Sequence, residues 1–162
     1  MSGTSGFTYL ELIAVIVIIG GLMALVAPRF AGTGRTYLRT DARRLATLTR
    51  YVYEATATKR LSYRLRFDLD GGSVSLAASA GGGEFVPEAD PVLRRLKLRR
   101  GVELADIVVP GPGKVTSGEV DVFFAPSGPV DPFVVHLSYG ADVKTLDFNP
   151  YSGRVRVRDG YL

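Results

Sequence analysis

The sequence predicts an α+β fold, one long N-terminal helix followed only by strands. Three observations carry that prediction. An apolar run from Phe7 to Ala27 is interrupted by a single charge, Glu11. Apolar residues spaced by three and four follow from Leu38 to Ala55. From Leu61 the apolar period drops to two and stays there.

The first run is 21 residues long, the length a helix needs to cross a hydrocarbon core of ~30 Å. A carboxylate on such a helix costs about 2.5–3.5 kcal/mol near the bilayer centre on insertion scales, which makes Glu11 a functional candidate. Pro28 lacks an N–H, and Gly32 and Gly34 follow it, so a kink or locally melted stretch is expected there. Helical periodicity resumes near Arg35. Leu38, Ala42, Leu45, Leu48, Val52 and Ala55 form one stripe that is expected to pack on the sheet, with Arg39, Arg43 and Arg50 on another face.

Leu61, Tyr63, Leu65, Phe67 and Leu69 then alternate with polar residues as a half-buried strand. Asp70-Gly71-Gly72 is turn chemistry, and Val74 and Leu76 continue a hairpin. Ala77–Pro91, with three consecutive glycines and two prolines, reads as a loop. Further strands are expected at Val92–Leu98, Val102–Val109, Glu119–Ala125, Phe133–Tyr139, Lys144–Asn149 and Arg154–Arg158. Short strands at this spacing predict an antiparallel sheet, or two sheets packed together. The chain therefore divides into a short segment 1–6, an apolar helix 7–28, an amphipathic helix 29–60 and a β-rich domain 61–162.

Of 162 residues, 134 follow Pro28, enough for a core without metal or disulfide staples. The absence of cysteine excludes disulfides and thiolate metal sites. A net charge of +4 is compatible with acidic headgroups or nucleic acid without requiring either.

Little catalytic chemistry is legible. His136 is the sole histidine, set off the Phe133, Val135, Leu137 face of its strand, and a solvated or edge position is expected. Asp68 and Asp70 lack the remaining ligands and 12-residue frame of a calcium loop and read as a hairpin turn. Neither Gly81-Gly82-Gly83 nor Gly111-Pro112-Gly113-Lys114 has the frame of a phosphate-binding loop. No catalytic residue, cofactor or metal site is expected.

The stretch Gly6, Phe7, Thr8, Glu11 and Pro28 resembles the N-terminus of type IV prepilins and type II secretion pseudopilins. In both families a short leader ends in Gly before Phe-Thr-x-x-Glu and an apolar helix. The resemblance implies a pilin-like fold and cleavage between Gly6 and Phe7 by a prepilin peptidase. It also implies N-methylation of Phe7, and pairing of Glu11 with the amine of a neighbouring subunit. The implied place is a single-pass inner-membrane protein with residues 61–162 in the periplasm, assembled with other pseudopilins or pilins and the secretion machinery. The segment 1–6 carries no Lys or Arg, whereas Arg29, Arg35, Arg39, Arg43 and Arg44 follow the apolar run. A positive-inside count alone would put the C-terminal part in the cytoplasm. The family topology puts it outside, and translation is expected to begin upstream of Met1.

Residues 120–140 and 144–157 resemble the C-terminal domain of H-type (GspH-like) pseudopilins and FimT-like minor pilins, each with an apolar strand running into a Pro-Ser-Gly or Pro-Tyr-Ser-Gly turn. Having neither cysteines nor a calcium loop, the chain resembles a minor pseudopilin more than a major subunit. Arg154, Arg156 and Arg158 alternate on the last strand at ~6.6 Å per step, a spacing that roughly suits phosphates along one strand of DNA. Gly153-Arg154-Val155-Arg156 resembles the Gly-Arg-x-Arg ending of FimT-like pilins in DNA uptake. The sequence thus supports a minor pseudopilin first and a DNA-capturing minor pilin second.

Overall fold

A computed structural model describes residues 9–126 and 130–161 of the chain, with the side chains of 23–33 outside the description. Helix α1 runs from Tyr9 to Lys59. Pro28, Gly32 and Gly34 lie within it, so of the expected kink or melted stretch the melting does not occur. A single proline removes one backbone hydrogen bond, and the turns on either side remain helical. The chain divides into two compact units, 1–34 and 35–162.

In the first unit, every residue from Tyr9 to Leu22 is exposed, and the apolar ones point to all sides. Among the described residues, no helix is long and apolar enough to cross a membrane. The predicted run Phe7–Ala27 extends past the described side chains at both ends.

The second unit begins with the remainder of α1. Leu38, Ala42, Leu45, Leu48, Val52 and Ala55 are all buried, as the periodicity predicts. Thr49 and Thr56 interrupt the buried side but return their hydroxyls to the carbonyls of Leu45 and Val52, at 3.0 and 2.7 Å. The helix closes with Arg60 at φ 54°, the left-handed position usually given to glycine.

Ten strands follow among the described residues, in two antiparallel sheets. The first sheet holds β1 (Ser62–Asp68), β2 (Ser73–Ser79), β3 (Val86–Pro87), β4 (Arg95–Lys97) and β7 (Glu119–Phe124). Its order is β3-β2-β1-β7, with β4 also pairing along β2. The second runs β10-β9-β8-β5-β6, built from β5 (Glu103–Val109), β6 (Gly113–Val115), β8 (Phe133–Tyr139), β9 (Asp142–Asn149) and β10 (Arg154–Asp159). Because β7 leaves the second sheet to pair with β1 and β8 returns, the two sheets are interleaved along the chain.

The alternation predicted for β1 holds, with Tyr63, Leu65 and Phe67 buried. One core contains the α1 stripe and the inner faces of both sheets. At its centre Phe67 and Phe124 of the first sheet meet Phe133 of the second, and Phe148 lies 5.1 Å from Phe133 and 5.9 Å from Tyr53 of α1 between ring centroids. These offset and edge-on contacts add about 0.5–1.5 kcal/mol each beyond area burial.

Two expectations need correction. Val92–Leu98 is not one strand: its first half is helix α2 (Pro91–Arg94), and only Arg95–Lys97 extends as β4. Asp90 accepts a hydrogen bond from the Val92 N–H at 2.8 Å, and Pro91 opens the turn with its φ already helical. The expected loop Ala77–Pro91 also contributes, since β2 runs to Ser79 and β3 adds a short bridge.

Candidate interaction surfaces

The sites expected from sequence fall at the two ends of the chain. Gly6 and Phe7 lie outside the described residues. Glu11 is exposed in the first described turn of α1. Its surroundings on the same segment are apolar, so the carboxylate is the one polar landmark on an uncovered hydrocarbon surface between Leu10 and Leu22.

Arg154, Arg156 and Arg158 lie on β10, the edge strand of the second sheet, and all three are exposed. Their register partners on β9 are Asn149, Asp147 and Thr145. None of the three arginines forms an ion pair among the described residues. Asp159 belongs to the alternate face of β10, and its carboxylate is taken by Lys144. That ammonium holds the Asp159 carboxyl below its usual range, so Asp159 does not neutralise the arginine row by pairing with it.

The structure adds Arg50, which the sequence places on a face of α1 away from the apolar stripe. With Arg154 and Arg156 it lines a cleft of about 370 Å³ between α1 and β10, where Glu54 is the one acidic group. Gly153 makes this approach feasible. Its φ is +63°, and a Cβ there would sit 2.3 Å from the Tyr53 ring. Asn149 accepts from the Tyr151 and Ser152 N–H groups at 3.0 and 3.2 Å, which shapes the turn before it. The glycine of the Gly-Arg pattern is therefore required by helix packing whatever the arginines do. The other expected turn, at Pro126-Ser127-Gly128, lies partly outside the described residues.

Asp68 and Asp70 serve the β1–β2 turn. Asp68 accepts from the Gly71 N–H at 2.7 Å, and Asp70 reaches the Gly118 N–H at 3.0 Å. The second contact ties the hairpin to the start of β7.

His136 departs from expectation. Its side chain does leave the Phe133, Val135, Leu137 face, yet it is only 1% exposed. Its Nδ1 lies 2.7 Å from Asp106 Oδ1, and the Tyr161 ring stacks on it at 3.8 Å and 10°. The Tyr161 hydroxyl donates to Asp106 Oδ2 at 2.8 Å, and Lys114 Nζ is 3.6 Å from the same oxygen. Tyr161, with Asp106 in support, holds the Lys114 ammonium above its ordinary pKa. The sequence carried half the signal. Val102 and Leu104 are in phase with each other but not with Ile107, and a β-bulge between Leu104 and Asp106 absorbs the slip. That bulge turns Asp106 outward, opposite His136. That the C-terminal Tyr161 would cover the pair had no cue in the period.

A second buried charge was also missed. Asp41 sits on α1 with no exposed surface. It accepts from the Arg99 N–H at 2.8 Å and from Arg44 at 3.3 Å. Arg99 in turn lies over the Tyr37 ring. This carboxylate pins the loop after β4 to the helix.

The fold is that of pseudopilins and minor pilins. The minor pseudopilin EpsH of the type II secretion system of Vibrio cholerae superposes with TM-scores of 0.62 and 0.63 in two structures, at 14% and 13% identity. Those alignments cover 75% and 76% of this chain and 94% and 96% of EpsH. The type IV minor pilin FimU of Pseudomonas aeruginosa matches with a TM-score of 0.52 at 17% identity, over 78% of this chain and 91% of FimU. No protein-family profile and no curated sequence matches the chain.

Proposed function

We propose that the chain is a minor pseudopilin of a type II secretion system, of the H type. In this reading it is a structural subunit, not an enzyme, of the periplasmic filament that drives protein export. One observation carries the reading: a helical segment uncovered and apolar on every side, marked by Glu11, is joined to a globular unit with the pseudopilin fold. The prepilin peptidase removes residues 1–6 and Phe7 becomes the methylated N-terminus. The apolar helix anchors the precursor in the inner membrane with the β-rich domain in the periplasm. During assembly it leaves lipid for a bundle of other subunits' helices, and Glu11 meets a neighbour's N-terminal amine.

Such a carboxylate is costly in hydrocarbon and satisfied in the filament, so it couples depth of insertion to polymerisation. Glu11→Leu is expected to leave cleavage and membrane retention normal while weakening cross-links to partner subunits. Unchanged cross-links would contradict this assembly role.

A second reading has its own observation, the unpaired row Arg154, Arg156 and Arg158 extended by Arg50. It makes the chain a FimT-like minor pilin that captures DNA. Replacing the three β10 arginines by Ala would then abolish DNA binding and steepen no other defect. If the same variant leaves DNA affinity unchanged, or if the wild type has none, this reading fails.

A further inference from the structure

The outer face of the second sheet is closed by the last described residues, and the closure has a built-in weak point. At Gly160 (φ +85°) the chain turns back over the sheet. The Gly160 N–H donates to the Val143 carbonyl at 2.9 Å, and its own carbonyl accepts from the Thr145 hydroxyl at 2.6 Å. Tyr161 is thereby laid flat on His136, with its hydroxyl on Asp106.

The hydrogen bonding around His136 is full on one side and empty on the other. An ionised Asp106 can only accept, so Nδ1 donates to it and the neutral ring keeps a bare lone pair on Nε2. Nε2 is buried and has no partner among the described residues. Lys114 already balances the Asp106 charge, with its ammonium 3.6 Å from Oδ2 and 4.8 Å from the Tyr161 ring centroid. Across the sheet, Arg158 stands in the same register row beyond Thr145. The ionisable groups facing His136 are therefore Asp106 from β5, Lys114 from β6, Arg158 from β10 and the Tyr161 hydroxyl. A second proton would turn Nε2 into a buried donor with no acceptor among the described residues.

We propose that the C-terminal segment is a clasp, closed by Tyr161 over neutral His136 and opened when His136 takes up a proton. Tyr161 is the part that yields, because it belongs to no strand and its described side-chain contacts are the stack on His136, the hydroxyl on Asp106 and the Lys114 ammonium over its ring. Its departure lets water reach Nε2. It also uncovers Asp106, so the surface presented on this face changes with acidity.

His136 is the sole histidine, so a full-length chain without a histidine tag, held in detergent micelles, gives one imidazole signal by NMR. Its ring proton is followed through a titration between about pH 4 and 8, in the wild type and in Tyr161→Ala. A stacked tyrosine shields that proton. The wild-type signal should lie upfield of the variant's at high pH, and the two should merge at low pH. Shielding that persists at both ends of the titration, or a wild-type signal no further upfield than the variant's at high pH, would overturn the proposal.

Discussion

The two halves of α1 are made from the same few apolar residue types and solve different problems. Between Leu38 and Ala55 those residues fall on one stripe, and the chain's own sheets cover them. Between Leu10 and Leu22 they fall on every side, and nothing described covers them. Hydrophobic content is therefore a poor guide to what a helix does, and the angular width of its apolar surface is a better one. A stripe calls for one partner surface, which a single chain can supply. An all-round apolar cylinder needs a surrounding medium or several other helices.

A matched pair of truncations exposes this difference most strongly. A fragment of residues 35–162 is expected to fold alone and remain monomeric, since the whole core lies within it. In that fragment Leu45→Ala should cost about 2–5 kcal/mol in urea unfolding, because Leu45 is fully buried. In the full-length chain, Ile16→Ala should leave unfolding of the globular unit unchanged and show itself only in cross-linking to partner subunits. Equal losses from both would erase the comparison.

Asp41 tests how the stripe half is secured. Asp41→Ala strands the Arg99 N–H and removes a charged acceptor from the core edge, and about 1.5–3 kcal/mol should be lost. Thermal unfolding of the fragment measures it, with Asp41→Asn retaining part of the stability through its carbonyl.

The smallest effect expected is at Asp159, which is exposed. Its folded-state pKa is depressed by Lys144, so the contribution is complete above the unfolded value of about 4 and is lost as pH falls through the depressed one. Asp159→Asn should lower the Tm slightly near neutral pH, with the difference fading below about pH 4. Surface pairs of this kind are worth little.

The sequence made the fold legible wherever one period dominated. The switch from a spacing of three and four to one of two marks the end of α1 within a few residues, and β1, β7, β8 and β10 fall close to their predicted bounds. It misled where a local cap outweighed the apolar pattern, as Asp90-Pro91 does in turning the start of a predicted strand into helix. The candidate sites were legible as residues but not as groupings. Arg154, Arg156 and Arg158 could be read from one strand, whereas Arg50 joins them only because Tyr53 packs on Gly153. His136 was placed correctly off the core face and wrongly in solvent. Alternation tells which side a residue takes, and not what a chain end or a bulged neighbour will lay over it.

The central claim, that the uncovered helix belongs to a pilin-like assembly subunit, is tested most directly by the mass of the mature chain isolated from membranes. The account predicts a protein beginning at Phe7 with one methyl group on its amine, and retention of the precursor when Gly6 is replaced by Leu. A mature chain that begins elsewhere, or one that keeps Gly6 in cells that process their other prepilins, would contradict it.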